Sequence, residues 1–295
     1  MNLFDNLKIT FKQGNPAIRL IFINAAVYVV LQAVLIFFKL FNLSGEFIFQ
    51  WLALPSSYSQ LVYQPWSIVS YMFLHRDIFH ILFNMLALYW FGKLFLMYHT
   101  GKQLTGLYLF GGMVAGLLYM LAYNIFPLFR GLNEFSILMG ASGSIMAIIV
   151  ATAMQAPDME MRFLLVGNVK LKYIAIVAVL ISFFSITSSN AGGEIAHLGG
   201  ALYGYFFIVS LRRGKDTTRW ISKIIDRIST AFKPRKLKVK KGGAYRSAKM
   251  SDADYNMQKA NTMAEVDRIL DKIKASGYGS LTEDEKNTLF QQRKN

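Results

Sequence analysis

Six apolar stretches, separated by short polar segments, leave this chain few folds. They cover roughly residues 20–38, 78–98, 104–126, 137–154, 173–186 and 195–211. About 20 residues of helix cross the roughly 30 Å of bilayer hydrocarbon, so each run reads as a span, the fifth a short one. The composition agrees: 54% of residues are apolar and only 17% charged, against about 25% charged in a soluble domain. A disordered chain and a collagen-like chain are excluded, and the absence of Cys excludes a disulfide scaffold. The first run is long and bulky with no small-residue cleavage pattern, so it reads as a span and not as a removed leader.

Lys and Arg favour the cytoplasmic side of a membrane, and here they alternate loop by loop. Lys8, Lys12 and Arg19 precede the first run, whereas residues 40–74 hold no basic residue. Lys93 and Lys102 flank the second connection, Arg130 alone marks the third, and Arg162, Lys170 and Lys172 mark the fourth. The fifth has none, and Arg212 and Arg213 follow the last run. The expectation is an all-α, multi-pass protein of the cytoplasmic membrane, with both termini cytoplasmic. It divides into a cytoplasmic segment (1–19), a six-helix domain (20–213), a basic juxtamembrane segment (214–250) and a small helical hairpin (251–295). Residues 40–74 include Phe47, Trp51, Leu52 and Trp66, a density of apolar groups that suits the outer interface better than water.

Polar residues inside spans are costly and point to function. His80 and Asn84 share one face of the second span, four residues apart. Gly140-Ala141-Ser142-Gly143 opens the fourth span, and Ala196-His197-Leu198-Gly199-Gly200, followed by Gly204, opens the sixth. All three spans enter from the outer side, so Asn84, Ser142 and His197 are expected about 4–10 Å below it. A Ser and a His at one depth make a nucleophile and its general base. Gly143 and Ala147 on the fourth span, with Gly200 and Gly204 on the sixth, let the two backbones approach closely. The free N–H groups at the start of the fourth span, with Asn84 and His80, are candidates to stabilise an oxyanion. Each piece also has a plainer reading. The glycines suit packing, and Asn84 and His197 suit interhelical hydrogen bonds. Glu194, three residues before His197, is placed to orient it but reads more readily as an exposed helix-end carboxylate. His75 is expected at the outer interface and His99 at the inner one, neither with a role.

The combination resembles the rhomboid family of intramembrane serine proteases over about residues 64–213. It rests on Gln64-Pro65-Trp66 through Phe73-Leu74-His75, His80-x-x-x-Asn84, the Gly140–Gly143 motif and Ala196-His197-x-Gly199-Gly200-x-x-x-Gly204. The resemblance implies a six-helix bundle with a Ser142–His197 dyad that lacks an acidic member. It also implies an oxyanion site from His80, Asn84 and the Ser142 N–H. The implied substrates are membrane-anchored proteins, cut near the outer face with no cofactor and no metal. Two positions depart from the family pattern. Trp51 and Trp66 are followed by Leu52 and Ser67 instead of Arg, and Met146 stands where many members carry an aromatic one turn after the nucleophile. A catalytically silent relative would typically lose the Ser or the His, and a transporter would show midplane charges and repeated halves; neither pattern is visible.

Most of the formal charge of +15 lies between residues 212 and 250. Trp220, Ile221, Ile224, Ile225, Ile228 and Phe232 share one face of a predicted surface helix, with Arg219, Lys223 and Arg227 beside it. Six basic residues between Lys233 and Lys241 follow. Anionic lipids are the expected partner; nucleic acid is not, for want of interleaved aromatics. Further on, Thr262-x-x-Glu265 and Thr282-x-x-Glu285 carry capping-box signatures and Gly277 is placed to end a helix. Docking on the membrane domain, self-association and binding a separate partner all remain open for this hairpin.

Overall fold

The computed structural model describes residues 10–11, 14–132, 135–163, 167–231 and 252–292. It separates into two compact units, residues 1–233 and 234–295. In the first unit each of the six apolar runs carries a helix. They are α1 (Pro16–Leu40), α5 (Ile78–Phe95), α6 (Gly101–Ile125), α7 (Ser142–Gln155), α8 (Leu171–Phe184) and α9 (Ala191–Arg212). Among the described residues, α1, α5, α6 and α9 are long and apolar enough to cross a membrane, while α7 and α8 have 14 residues each.

Helix starts follow local chemistry. The Asn15 side chain accepts the Ile18 N–H ahead of Pro16, and Asp77 accepts the His80 N–H. Thr100 and Gln103 form a reciprocal capping box at α6. One buried polar cluster links α1, α6 and the loop before α5. Asn24 donates to the Leu20 carbonyl and to Tyr108 Oη, which donates to the Met72 carbonyl at 2.9 Å.

Helix α7 forms the hub, with Ser144, Ala147, Ile148, Ala151 and Thr152 fully buried. Its partners α6 and α9 approach to backbone distance. A Cβ on Gly200 would overlap the Gly143 carbonyl, and one on Gly204 the Ala147 carbonyl. Both partners advance by four residues, so α7 and α9 run parallel. On the other side Gly111 meets Ala147 and Gly143 meets Ala115, the reversed order of an antiparallel pair. Outward faces are apolar: Val29, Ile36, Phe83, Phe184 and Leu202 are all exposed, the pattern of helices solvated by lipid.

The connection after α1 folds into α2 (Glu46–Leu52), α3 (Tyr58–Tyr63), α4 (Ser67–Ser70) and a 3₁₀ turn at Tyr71–Phe73. Trp51 and Trp66 stack at 5.7 Å, and Trp66 Nε1 donates to the Trp51 carbonyl. Two short ribbons depart from the all-helical expectation. β1 (Leu54–Pro55) pairs antiparallel with β2 (Ile137–Leu138), so Ile137 belongs to a strand and the fourth apolar helix begins at Ser142. β3 (Glu160–Phe163) pairs with β4 (Gly167–Lys170), with Asp158 bridging Lys170 and Lys172 beside it.

After α9 comes α10 (Arg219–Ala231), which lies on α6. Thr218 is fully buried against Gly106, Trp220 meets Phe110 edge-on, and Lys102 pairs with Asp226 at 2.6 Å. Ile221 is buried, whereas Trp220, Ile224 and Ile225 stay exposed beside Lys223 and Arg227. The Ile228 side chain, Phe232 and the basic run 233–241 lie outside the described residues.

The second unit contains α11 (Asp252–Ser276) and α12 (Glu283–Gln292), joined by a turn in which Gly277 adopts φ +79°. The capping box at Thr282 and Glu285 forms with both bonds. The one proposed at Thr262 does not: α11 begins ten residues earlier, and Glu265 pairs with Arg268. A local signature caps only where the preceding residues leave the helix, and residues 252–261 do not. Ile269 and Leu281 are buried, and Lys272 pairs with Glu285 at 2.9 Å.

Candidate active site

Helices α5, α7 and α9 start at one end of the bundle and carry the singled-out residues in their first two turns. Ser142 is the first residue of α7. The segment before it is fixed by long-range contacts: the β1–β2 pairing, the Ser56 N–H to the Ser136 carbonyl, and the Gly140 N–H to the Tyr71 carbonyl at 2.9 Å. Tyr71 Oη in turn donates to the Gly112 carbonyl on α6. Gly140 has φ +130°, a conformation L side chains rarely adopt, and a Cβ there would lie 2.9 Å from His80 Nε2 and 3.7 Å from Ser142 Oγ. The His80 ring and the Ser142 hydroxyl thus flank one glycine. Helical bonding begins with the Ile145 N–H to the Ala141 carbonyl, so the N–H groups of Ser142, Gly143 and Ser144 stand ahead of the ladder.

His197 lies in the second turn of α9. Its neighbour Ala196 presents its carbonyl oxygen 3.4 Å from the Cβ position of Gly143, the residue beside Ser142. Counted from the Gly143–Gly200 contact, Ser142 is one residue up and His197 three, so their depths differ by about 3 Å at 1.5 Å per residue. Among the described residues no direct hydrogen bond joins Ser142 Oγ to the imidazole; in free enzymes such bonds are often long and tighten on substrate. Nδ1 of His197 is occupied, 3.1 Å from Ser182 Oγ on α8 and 3.3 Å from Glu194 Oε2. Nε2 is the nitrogen left to act on a neighbour.

Asn84 is buried and donates one amide hydrogen to the His80 carbonyl at 2.9 Å, leaving the second N–H to serve a ligand. Met146, one turn after Ser142, is also buried. Three residues differ from the sequence reading. Glu194 is no exposed helix-end carboxylate: its side chain is 15% exposed and touches His197. Ser182 was not singled out; its signal is a hydroxyl within an otherwise apolar run. His75 is buried at 1% exposure and packs edge-on against His80 at 5.0 Å, because the 3₁₀ turn at Tyr71–Phe73 folds the segment inward. Burial first, and then His80, push the His75 imidazole down to about 4, so it is neutral at pH 7. Among the described residues no three His, Asp or Glu side chains gather as a metal would require.

The apolar helices, with polar groups collected at one end, define a multi-pass helical membrane protein. Residues 62–214 match the family model of the rhomboid domain, and the chain belongs to the rhomboid family, whose members are generally intramembrane serine proteases. Residues 250–292 match a second model, a family of unknown function (DUF6576). No curated protein matches the chain.

Proposed function

We propose that the chain is an intramembrane serine endopeptidase in which Ser142 is the nucleophile and His197 the general base. The observation carrying this reading is the backbone contact of Gly143 with Ala196 and Gly200, which sets the residues beside the hydroxyl and the imidazole against each other. Oγ attacks the scissile carbonyl carbon while its proton passes to Nε2 of His197. The oxyanion so formed takes N–H groups at the start of α7, the free amide hydrogen of Asn84 and the His80 ring. Collapse expels the amine, which takes the proton from Nε2. Water, deprotonated by the same nitrogen, then releases the acyl group and restores Ser142. His80 and Ser142 flanking Gly140 supports a shared oxyanion position.

In this reading α7 and α8 also cross the bilayer, giving six spans. A 14-residue helix extends only about 21 Å, against roughly 30 Å of hydrocarbon, so Ser142 starts beneath the rim where water still reaches it. The loop charges favour cytoplasmic termini in the cytoplasmic membrane, and therefore cleavage of membrane-anchored proteins near the outer face. The exposed Trp220, Ile224, Lys223 and Arg227 on α10 favour contact with anionic lipids. The test compares cleavage of a model membrane-anchored substrate by the full-length protein and by Ser142→Ala. Loss of cleavage in the folded variant is expected; cleavage at the wild-type rate would remove the assignment.

A further inference from the structure

We propose that Glu194 is a positioning residue for His197, making this site a Ser-His-Glu relay assisted by Ser182; the inference rests on the protease reading above. Glu194 and His197 lie three residues apart on one face of α9, with Oε2 3.3 Å from Nδ1. Ser182 Oγ reaches the same nitrogen at 3.1 Å from α8 and is almost fully buried.

Three physical consequences follow from this cluster. First, an ionised carboxylate only accepts, so its contact with Nδ1 calls for a hydrogen on that nitrogen, and the Ser182 hydroxyl has lone pairs with which to accept it as well. Nδ1 therefore carries the hydrogen, and the lone pair of the neutral ring sits on Nε2, where the Ser142 proton must go. Second, among the described residues Glu194 forms no ion pair with Lys or Arg; His197 alone serves as its cationic partner. That pair becomes charged only when His197 has taken the serine proton, so it strengthens in the transition state more than in the resting state. Third, the first turn of α9 favours a negative charge through the helix dipole. The proton moves from Oγ to Nε2 and on to the leaving amine, and Glu194 stays a carboxylate throughout.

The bland competitor is a first-turn acid that merely stabilises α9. It predicts a lower melting temperature for Glu194→Gln with kcat intact. The relay predicts a kcat for Glu194→Gln reduced by roughly 10²-fold or more, since loss of the acid from a Ser-His-Asp triad costs about 10⁴. KM should hold within about twofold. Glu194→Asp, less isosteric but still anionic, should be more active than Glu194→Gln. In a His197→Ala background, Glu194→Gln should change fluorophosphonate labelling of Ser142 less than about twofold, because members of one unit are not additive. A second measurement needs no variant at position 194. With four His in the chain, ¹⁵N-histidine spectra of the full-length protein, assigned by difference from His197→Ala, should show the neutral His197 ring protonated at Nδ1. Protonation at Nε2, or a Glu194→Gln kcat equal to wild type while Ser142→Ala and His197→Ala are inactive, overturns the relay and leaves the protease standing. An active Ser142→Ala removes both.

Discussion

Replacing Gly200 by Ala probes the closest backbone approach among the described glycines. The added Cβ overlaps the Gly143 carbonyl oxygen and lies 2.9 Å from its carbon and 3.3 Å from the Ala147 nitrogen. Ordinary contact begins near 3.4 Å, and every obstructing atom is backbone, so no side-chain rotation relieves the overlap. Helices α7 and α9 must separate, by on the order of 1 Å to free the oxygen, and overpacking of this kind typically costs about 1–3 kcal/mol. Ala is a better helix former than Gly by about 1 kcal/mol, so without the contact the substitution would stabilise; a net loss is the signature of the clash. The same displacement moves His197 from Ser142, and a misplacement of about 1 Å can cost roughly 10² in rate. Cleavage of a membrane-anchored substrate and thermal unfolding, both in detergent, read the two effects. Leu202→Ala, on the exposed face of the same helix, is the control. Wild-type rate and stability in Gly200→Ala would refute the close packing on which the dyad geometry depends.

Asn84→Ala should keep the fold and lower kcat by up to about 10²–10³ with KM little changed, if its free N–H is a principal oxyanion donor; steady-state kinetics with chemistry limiting reads this. Deleting residues 234–295 should leave cleavage in detergent within a fewfold of full length, since every proposed catalytic group lies in the first unit; complete loss in a folded truncation would contradict it. Glu285 is held down to about 2 by the Lys272 ammonium, from an ordinary 4.5. A depressed carboxylate contributes stability that is full above its unfolded value and lost as pH falls toward the folded one. Amide exchange in Glu283–Gln292, corrected for intrinsic rate, should therefore be slowest above about pH 5 and rise as pH drops to 2. Glu285→Gln should remove that dependence.

Features that depend on spacing within one segment were legible in the sequence. Apolar length locates α1, α5, α6, α8 and α9 to within a turn or so, and the four-residue spacing of Gly143–Ala147 and Gly200–Gly204 foretells the α7–α9 contact. Features made by distant segments were not. Ile137 and Leu138 look like the start of a span, yet they pair with Leu54 and Pro55 from the first loop, and hydropathy carries no record of that partner. The three-residue spacing of Glu194 and His197 is local and legible, but the burial of Glu194 is not, since nothing local reveals that Ser182 of α8 meets the same imidazole. His75 precedes the charged Arg76 and Asp77 in sequence, yet it is buried. The loop before Ser142 is thus held in place by contacts no local pattern encodes.

Fluorophosphonate labelling of the full-length protein in detergent, with the adduct mapped by mass spectrometry, tests the Ser142–His197 pair most directly. A serine hydroxyl is a weak nucleophile at neutral pH, so fast reaction requires the neighbouring imidazole. Wild type should be modified at Ser142 alone, His197→Ala should react far more slowly, and Ser142→Ala should not react. Labelling at Ser144 or elsewhere, or labelling of His197→Ala at the wild-type rate, would contradict the dyad.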